Sequence, residues 1–206
     1  MGNSGLLVSQ YSLGTMTWGR DTDIHEARDQ FNLYYEAGGR FIDTADVYSD
    51  GVSEEIVGDF CREYPDVIIS SKAGSVRTNR RRDASRNHLL TALDASLRRL
   101  RRTHLDVWHI HAWDPYTPLE ETLDAAAHAI DSGKVRYLGI SNYSGWQLTS
   151  AALSSSYPLI SAQMEYSLLQ RGIEREVVPA ALDLGVGIMA WSPLGRGVLT
   201  GKYRHA

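Results

Sequence analysis

The chain has 206 residues, of which 43% are hydrophobic and 22% are charged, a composition that suits one globular domain with a sizeable core. Its formal net charge of −4 offers no attraction to nucleic acid or to an anionic membrane, so neither is expected as a partner. A single cysteine, Cys61, excludes an intramolecular disulfide, and without a readable signal peptide or an apolar stretch of about 18 residues we expect a cytoplasmic protein.

Strand-like and helical patterns alternate along the whole chain. Apolar, β-branched runs predict seven strands, one ending at residues 13–16 and the others at 40–43, 66–72, 105–111, 135–140, 160–166 and 186–191. Helical periods lie between them, at residues 24–37, 53–62, 85–100, 119–131, 146–153 and 174–184. Ser53 is a candidate cap of the second helix, and Pro179 is expected to bend the last one. This alternation predicts a parallel sheet covered by helices.

Two architectures fit the alternation: an open, doubly wound sheet and a closed (β/α)8 barrel. A doubly wound dinucleotide-binding fold would place Gly-x-Gly-x-x-Gly after its first strand, whereas residues 14–19 read Gly-Thr-Met-Thr-Trp-Gly. Polar residues follow nearly every predicted strand, as they do in barrels whose active sites are built from the βα loops. We therefore predict a single α/β domain over residues 1–206 with the (β/α)8, or TIM barrel, fold.

The chain is short for that fold. A complete barrel typically takes about 250 residues, and seven strands are readable here, so we expect a barrel that is incomplete at its C-terminal end. An open last strand would expose a sheet edge and one side of the core. Such an edge favours association into a homo-oligomer.

Four polar side chains follow three successive strands. Asp43, Lys72 and His111 each lie at the C-terminal end of a predicted strand, and Tyr48 comes five residues after Asp43. Because parallel neighbouring strands end at the same rim, we expect the four side chains to lie together. A phenol has a pKa near 10, which a neighbouring ammonium lowers, while a carboxylate keeps the ammonium charged and a histidine can orient a substrate oxygen. The group is therefore a candidate proton donor.

Other patterns have a functional and a structural reading. His109 and His111 could bind a metal such as Zn²⁺ in a hydrolase, but no convincing third ligand follows, and we expect His109 inside the barrel below the rim. The five arginines of residues 77–86 are a solvated run or an anion site for a phosphate-bearing ligand. The loop aromatics line an apolar substrate pocket or simply pack; they are Trp18, Trp113 and Tyr116.

These segments resemble the aldo-keto reductases. The resemblance rests on the run Asp43-Thr44-Ala45-Asp46-Val47-Tyr48, on Ser71-Lys72, and on Leu105-Asp106 followed by His111. It continues, in the same order along nearly the whole chain, through the motifs at residues 133–142, 163–167 and 191–195.

The resemblance implies a barrel enzyme that reduces aldehydes and ketones with NADPH. Tyr48 would be the general acid, Lys72 and Asp43 would tune it, and His111 would orient the carbonyl group of a small-molecule substrate. A second hypothesis also follows from the family, in which some barrels act as regulatory subunits: the chain binds the cofactor with little turnover.

The resemblance also implies a set of cofactor-binding residues. Ser141, Asn142 and Gln163 match positions that hold the nicotinamide carboxamide, whose donors and acceptor suit hydroxyl and amide partners. Trp191 matches the aromatic residue that stacks on the nicotinamide ring. The remaining expected cofactor positions are Thr15 and Met16, together with Ser192 and Leu194 beside the pyrophosphate.

Overall fold

A computed structural model describes residues 1–75 and 82–204. Seven parallel strands form one sheet in chain order, curled into a partial (β/α)8 barrel. They are β1 (Leu13–Gly14), β2 (Phe41–Asp43), β3 (Ile68–Ala73), β4 (Leu105–Ile110), β5 (Val135–Ser141), β6 (Leu159–Glu165) and β7 (Gly187–Trp191). The seven strands and the barrel class predicted from the sequence are confirmed.

Helices follow the strands and cover the outer face of the sheet. They are α1 (Ile24–Glu36), α2 (Val52–Phe60), α3 (Arg86–Leu100), α4 (Leu119–Asp131), α5 (Gly145–Ser154) and α6 (Val177–Leu184). Side-chain caps begin two of them, with Asp23 at α1 and Ser85 at α3, and at α5 the Ser144 backbone N–H donates to Gln147 Oε1 at 2.8 Å. Each of these polar residues marks the start of its helix, so the residues between the preceding strand and the helix form a loop.

Two expectations about helix ends are wrong. Helix α2 begins at Val52 after Gly51, which has a left-handed backbone, so Ser53 does not cap it and instead donates a hydrogen bond to the Thr15 carbonyl oxygen (2.8 Å). A 3₁₀ turn at Gly172–Arg175 precedes α6, which begins at Val177. Pro179 therefore lies in the first turn of α6, where its missing N–H costs no intrahelical bond, and does not bend the helix.

The apolar core has two parts. The larger part lies between the helices and the sheet, because the residues of parallel strands that point outward are buried by the helices. A smaller cluster fills the N-terminal end of the barrel interior around Phe41 and Val107. Met1, Leu6 and Val8 pack against this cluster and close that end of the barrel. The polar side chains of the interior are thereby confined to the opposite, C-terminal end.

Across the two described ranges, no helix combines the length and the apolar character needed to cross a membrane.

Candidate active site

A buried ion pair joins the ends of β2 and β3. Lys72 Nζ lies 2.7 Å from Asp43 Oδ2 and donates a further bond to the Thr44 carbonyl oxygen at 2.8 Å. The Lys72 side chain has no solvent exposure, so these partners hold the ammonium group in place. Side chains of β3 point alternately into and out of the barrel, and Lys72 points inward. In the register between β3 and β4, Lys72 is the partner of His109.

Both members of the pair are charged at neutral pH. Burial, the largest single cause, works to raise the pKa of Asp43, but the Lys72 ammonium, His109 and the hydrogen bond from Gln163 together keep that pKa below its ordinary value. Burial likewise works to lower the pKa of Lys72, yet Asp43 and Tyr48 together keep that pKa above its ordinary value. Two further donors complete the Asp43 carboxylate, since Ser70 Oγ and Gln163 Nε2 each lie 3.0 Å from Oδ1.

Tyr48 reaches this pair from the loop after β2. Its hydroxyl oxygen lies 3.2 Å from Lys72 Nζ. The residues that follow, Ser49, Asp50 and Gly51, all have left-handed backbone angles, with φ of 50°, 56° and 95°. Such a run turns the chain sharply from the strand end into α2. The Ser49 hydroxyl donates to the Trp18 carbonyl oxygen at 2.7 Å and fixes the turn that presents the phenol.

His111 follows β4 on the other side of the phenol. Its ring packs edge-on against the Tyr48 ring, with centroids 6.0 Å apart. Burial, and then the nearby Lys72 ammonium, lower the pKa of His111 to about 3, so the imidazole is neutral. Within the described ranges Nδ1 is buried without a hydrogen-bond partner, which leaves Nε2 as the nitrogen available to a substrate. The four side chains predicted to lie together are therefore close neighbours.

A cavity of about 520 Å³ opens above these residues. Tyr48, His111 and Asp43 form part of its wall, and most of the expected cofactor positions line it as well: Thr15, Met16, Ser141, Asn142, Gln163, Trp191 and Ser192. Leu194 is not part of the wall and is 55% exposed on the loop after β7. Arg196 lines the cavity too, a residue the sequence analysis did not select because the turn after residue 194 carries no pattern that predicts its direction.

Hydrogen bonds connect the polar residues of this cavity. The Trp191 indole Nε1 donates to Asn142 Oδ1 at 3.0 Å, and Asn142 Nδ2 donates to the His111 carbonyl oxygen at 3.0 Å. The Ser141 hydroxyl donates to the Gln163 carbonyl oxygen at 2.9 Å. The indole, amide and hydroxyl groups are thus held on one side of the cavity, at the ends of β5, β6 and β7.

Thr15 and Met16, two of the expected cofactor positions, differ in their exposure to solvent. Thr15 is fully buried, and its hydroxyl lies 3.2 Å from the Asp43 carbonyl oxygen and 2.8 Å from Ser53 Oγ, so its role includes fixing the end of β2. Met16 is 53% exposed beside the cavity.

The loop aromatics do not form the cavity wall. Trp18 is fully buried in the core, where it packs on Phe60 and donates to Gln30, so the pocket reading of this residue is wrong. Trp113 packs against Tyr143 and Trp146, and Tyr116 is 76% exposed. Local sequence gave no indication that the loop after β1 folds back over α2.

The metal alternative gains no support from the described residues, and the anion alternative is not tested, since it depends mostly on residues outside them. Among the residues described, no three His, Cys, Asp or Glu side chains form a metal-binding group, and both ring nitrogens of His109 lie within hydrogen-bond distance of serine hydroxyls. Arg77, Arg80 and Arg81 of the basic run lie outside the described residues. Arg82 donates to the Trp113 carbonyl oxygen (2.9 Å), and Arg86 pairs with Asp124. His109 is fully buried inside the barrel, as expected, but its two serine partners were not predicted.

Comparison with known proteins agrees with this geometry. A family model described as the aldo/keto reductase family matches residues 11–206. An uncharacterized oxidoreductase of Bacillus subtilis is 36% identical, with 98% of this chain aligned to 68% of the relative. A probable voltage-gated potassium channel subunit beta of Oryza sativa is 39% identical, covering 98% of this chain and 65% of the relative. The versiconal hemiacetal acetate reductase of Aspergillus parasiticus is 35% identical, covering 97% of this chain and 67% of the relative.

The chain thus spans about two thirds of the length of these curated relatives. The matched length contains every strand of the sheet and the buried Asp43–Lys72 pair with Tyr48 and His111 beside it. The fold, the order of the motifs and the family match lead to one conclusion. The chain belongs to the aldo/keto reductase family.

Proposed function

We propose that this protein reduces a small-molecule aldehyde or ketone to an alcohol with NADPH, and that Tyr48 is the general acid. The observation that carries the proposal is the hydrogen bond between Tyr48 and the buried Lys72 ammonium, at the wall of a cavity lined by amide, hydroxyl and indole groups. The oxidoreductase names of several relatives support the reaction class. The preference for NADPH over NADH and the location in the cytoplasm belong to the proposal.

The residues at the cavity fit a nicotinamide cofactor. Hydroxyl and amide side chains at the ends of β5 and β6 match the donors and acceptor of a carboxamide, and Trp191 offers an aromatic face on the adjoining strand. Ser141, Asn142, Gln163 and Trp191 would hold the nicotinamide. When bound, the cofactor supplies the hydride.

The proton has a defined source in this arrangement. The Tyr48 hydroxyl gives its proton to the developing alkoxide oxygen, and the Lys72 ammonium, 3.2 Å away, stabilises the phenolate left behind. Asp43 keeps that ammonium charged and oriented. His111, neutral at physiological pH, can donate a hydrogen bond to the same carbonyl oxygen without competing as an acid.

The substitution Tyr48→Phe tests the acid role. We expect kcat for a reactive aromatic aldehyde to fall about a hundredfold or more, because the proton donor is removed and the ring is kept. Titration of tryptophan fluorescence with NADPH, repeated with NADH, is expected to give the same dissociation constants as the unaltered protein. Tyr116→Phe, at an exposed position away from the cavity, is the matched control. Full turnover in Tyr48→Phe would contradict the acid role, and lost cofactor binding would show a different one.

A second candidate function is regulatory. Three relatives named as potassium channel beta subunits are 34–39% identical to this chain, as similar as the relatives named as reductases or dehydrogenases. In this case the chain would bind the cofactor and signal its presence to a partner with little turnover. Saturable binding of NADPH without turnover of any reactive carbonyl compound would favour this function over the first. Association into a homo-oligomer is part of either proposal, and sedimentation of the purified chain tests it.

A further inference from the structure

A buried histidine crosses the barrel interior beneath the proposed active site. His109 projects from β4 and has no solvent exposure. Its Nδ1 lies 3.1 Å from Ser70 Oγ on β3, and its Nε2 lies 2.8 Å from Ser161 Oγ on β6. The ring therefore links two strands that are not neighbours in the sheet.

A glycine on β5 provides the space for this ring. A Cβ atom placed on Gly139 would lie 2.4 Å from His109 Cδ2 and 2.4 Å from Ser161 Oγ, closer than real Cβ contacts come. The backbone of β5 is thus bare where the imidazole passes over it. The histidine and both its serine partners form a closely packed polar group next to Asp43 and Lys72.

The donor and the acceptor of each hydrogen bond around His109 can be assigned by starting from the Asp43 carboxylate. The Asp43 carboxylate is ionised and can only accept, so Ser70 Oγ must use its one proton to donate to Asp43 Oδ1 at 3.0 Å. The Ser70 oxygen is then an acceptor toward His109, so Nδ1 carries the imidazole proton. Nε2 in turn must accept, and its proton donor is Ser161.

We propose that His109 is a positioning residue for the reaction, which fixes the Ser70 hydroxyl in the orientation that donates to Asp43 and thereby holds the carboxylate against Lys72. The role rests on the proposed function, in which the Asp43–Lys72 pair supports Tyr48. His109 does not line the cavity, and its hydrogen-bond contact toward the ion pair is the one to Ser70.

The electrostatic surroundings keep the imidazole neutral, as this role requires. Burial lowers the pKa of His109 to about 4, with Asp43 on β2 working to raise it and Lys72 on β3 working to lower it. The groups that face the ring from β5 and β6 are uncharged, being Gly139 and Ser161. A neutral imidazole has one N–H donor, and in this hydrogen-bond network that donor is bonded to Ser70.

The first test measures the tautomer. Long-range ¹H–¹⁵N correlation spectra of the full chain, with His109 assigned from the spectrum of His109→Leu, distinguish a proton on Nδ1 from one on Nε2. We expect the Nδ1–H form from pH 6 to pH 8. In Ser70→Ala, which removes the acceptor, we expect loss of the pure Nδ1–H form. A proton on Nε2 in the unaltered chain would mean that Ser70 donates to the histidine, and it would overturn the proposal.

The second test measures turnover. His109→Leu is expected to lower kcat about tenfold, since a charge-assisted hydrogen bond to Asp43 is weakened, while the dissociation constant for NADPH stays the same. The acidic limb of the pH profile is expected to move toward higher pH, because Asp43 loses stabilisation of its charged form. His109→Asn, which restores a donor near the Nδ1 position, is expected to recover part of the loss.

Two comparisons keep this result specific. The double variant Ser70→Ala/His109→Leu is expected to lose no more than the larger single loss, because both changes act on the same bond to Asp43. Val107→Ala, also inside the barrel on β4, is the control for a general loss of packing and is expected to leave kcat and the pH profile unchanged. Additive losses, or an unchanged pH profile in His109→Leu, would contradict the positioning role.

The two tests separate this inference from the function on which it rests. If the chain reduces no carbonyl compound, the proposed function fails, and the positioning role for that reaction fails with it. The tautomer measurement still decides the bonding between His109, Ser70 and Asp43, because it needs no turnover. If turnover is present and the tautomer is Nε2–H, the reductase function stands and the inference alone is overturned.

Discussion

The two ends of the barrel interior are built on opposite principles from the same strands. At the N-terminal end, Phe41 of β2 and Val107 of β4 pack with apolar residues of the first eight positions. Two residues further along each strand, Asp43 and His109 lie in a layer of charges and hydrogen bonds. The apolar end gains stability in proportion to buried area, whereas at the polar end a buried group without a partner costs stability. The comparison teaches that a single strand contributes to both: its N-terminal part packs in the apolar cluster, and its C-terminal part carries the polar side chains of the candidate site.

Breaking the buried ion pair is expected to have the largest effect on this contrast. Lys72→Met leaves Asp43 buried without its countercharge, and we expect a loss of about 3–5 kcal/mol in the free energy of unfolding together with the loss of turnover. Lys134→Met is the matched control, since the Lys134–Asp94 pair is about half exposed and is worth at most about 1 kcal/mol. Urea denaturation measures both. Equal losses of stability in the two variants would contradict the expectation that an unpaired charge costs more at the buried polar end than at the surface.

A cavity at the apolar end is expected to change stability alone. Phe41→Ala removes a buried aromatic ring from the lower cluster, and we expect a loss of about 3–5 kcal/mol from transfer and cavity terms. The kcat per folded molecule is expected to stay constant, because Asp43, Lys72 and Tyr48 lie at the other end of the barrel interior. Thermal unfolding and active-site titration separate the two quantities. A fall in kcat as large as the fall in stability would show that the layers are coupled.

The smallest expected effect is a pH dependence that comes from the polar end. Burial, the largest cause for both residues, lowers the pKa of His109 to about 4 and that of His111 to about 3. The unfolded chain binds these protons near pH 6.5, so stability is complete above that pH and falls as the pH drops toward 4. Burial raises the pKa of Asp46 to about 7, which has the opposite sign and offsets part of the loss.

We therefore expect the free energy of unfolding to fall by roughly 3 kcal/mol between pH 7 and pH 4.5. The slope is expected to be shallower in His109→Leu, which removes one of the two histidines. Urea midpoints at five pH values between these limits provide the measurement. A flat profile in the unaltered chain would contradict burial of the neutral histidines.

Sequence alone was sufficient for features that depend on local pattern and on strand ends. The alternation of apolar runs predicted the seven strands, and the polar residues at the C-terminal ends of those strands predicted which side chains meet, as with Asp43 and Lys72. It was not sufficient for features that depend on register. The bridge from His109 to Ser161 joins β4 to β6 and needs the offset of three strands, which no local pattern contains.

Loop direction was the second source of error. Trp18 is a candidate for the substrate pocket because it follows β1. The chain, however, turns back at residues 15–22 through backbone hydrogen bonds between residues close in sequence, and this turn buries the indole. Ser53 was considered a cap because it precedes an apolar period, yet the left-handed Gly51 already begins the helix. In both cases the local sequence preference was overridden by the surrounding structure.

The order of the strands has a consequence for amide hydrogen exchange. In the described sheet, β1 pairs with β2 over two residues and β2 with β3 over three, whereas β4 has four paired residues on its β3 side and five on its β5 side. Sub-global opening begins where the fewest bonds must break, so amides of β1 and β2 are expected to exchange before those of β4. Such an opening would carry Asp43 away while Lys72 and His111 keep their places. The Asp43 carboxylate and the Lys72 ammonium would then belong to different foldons, and exchange rates would reveal the pair coming apart before the protein unfolds.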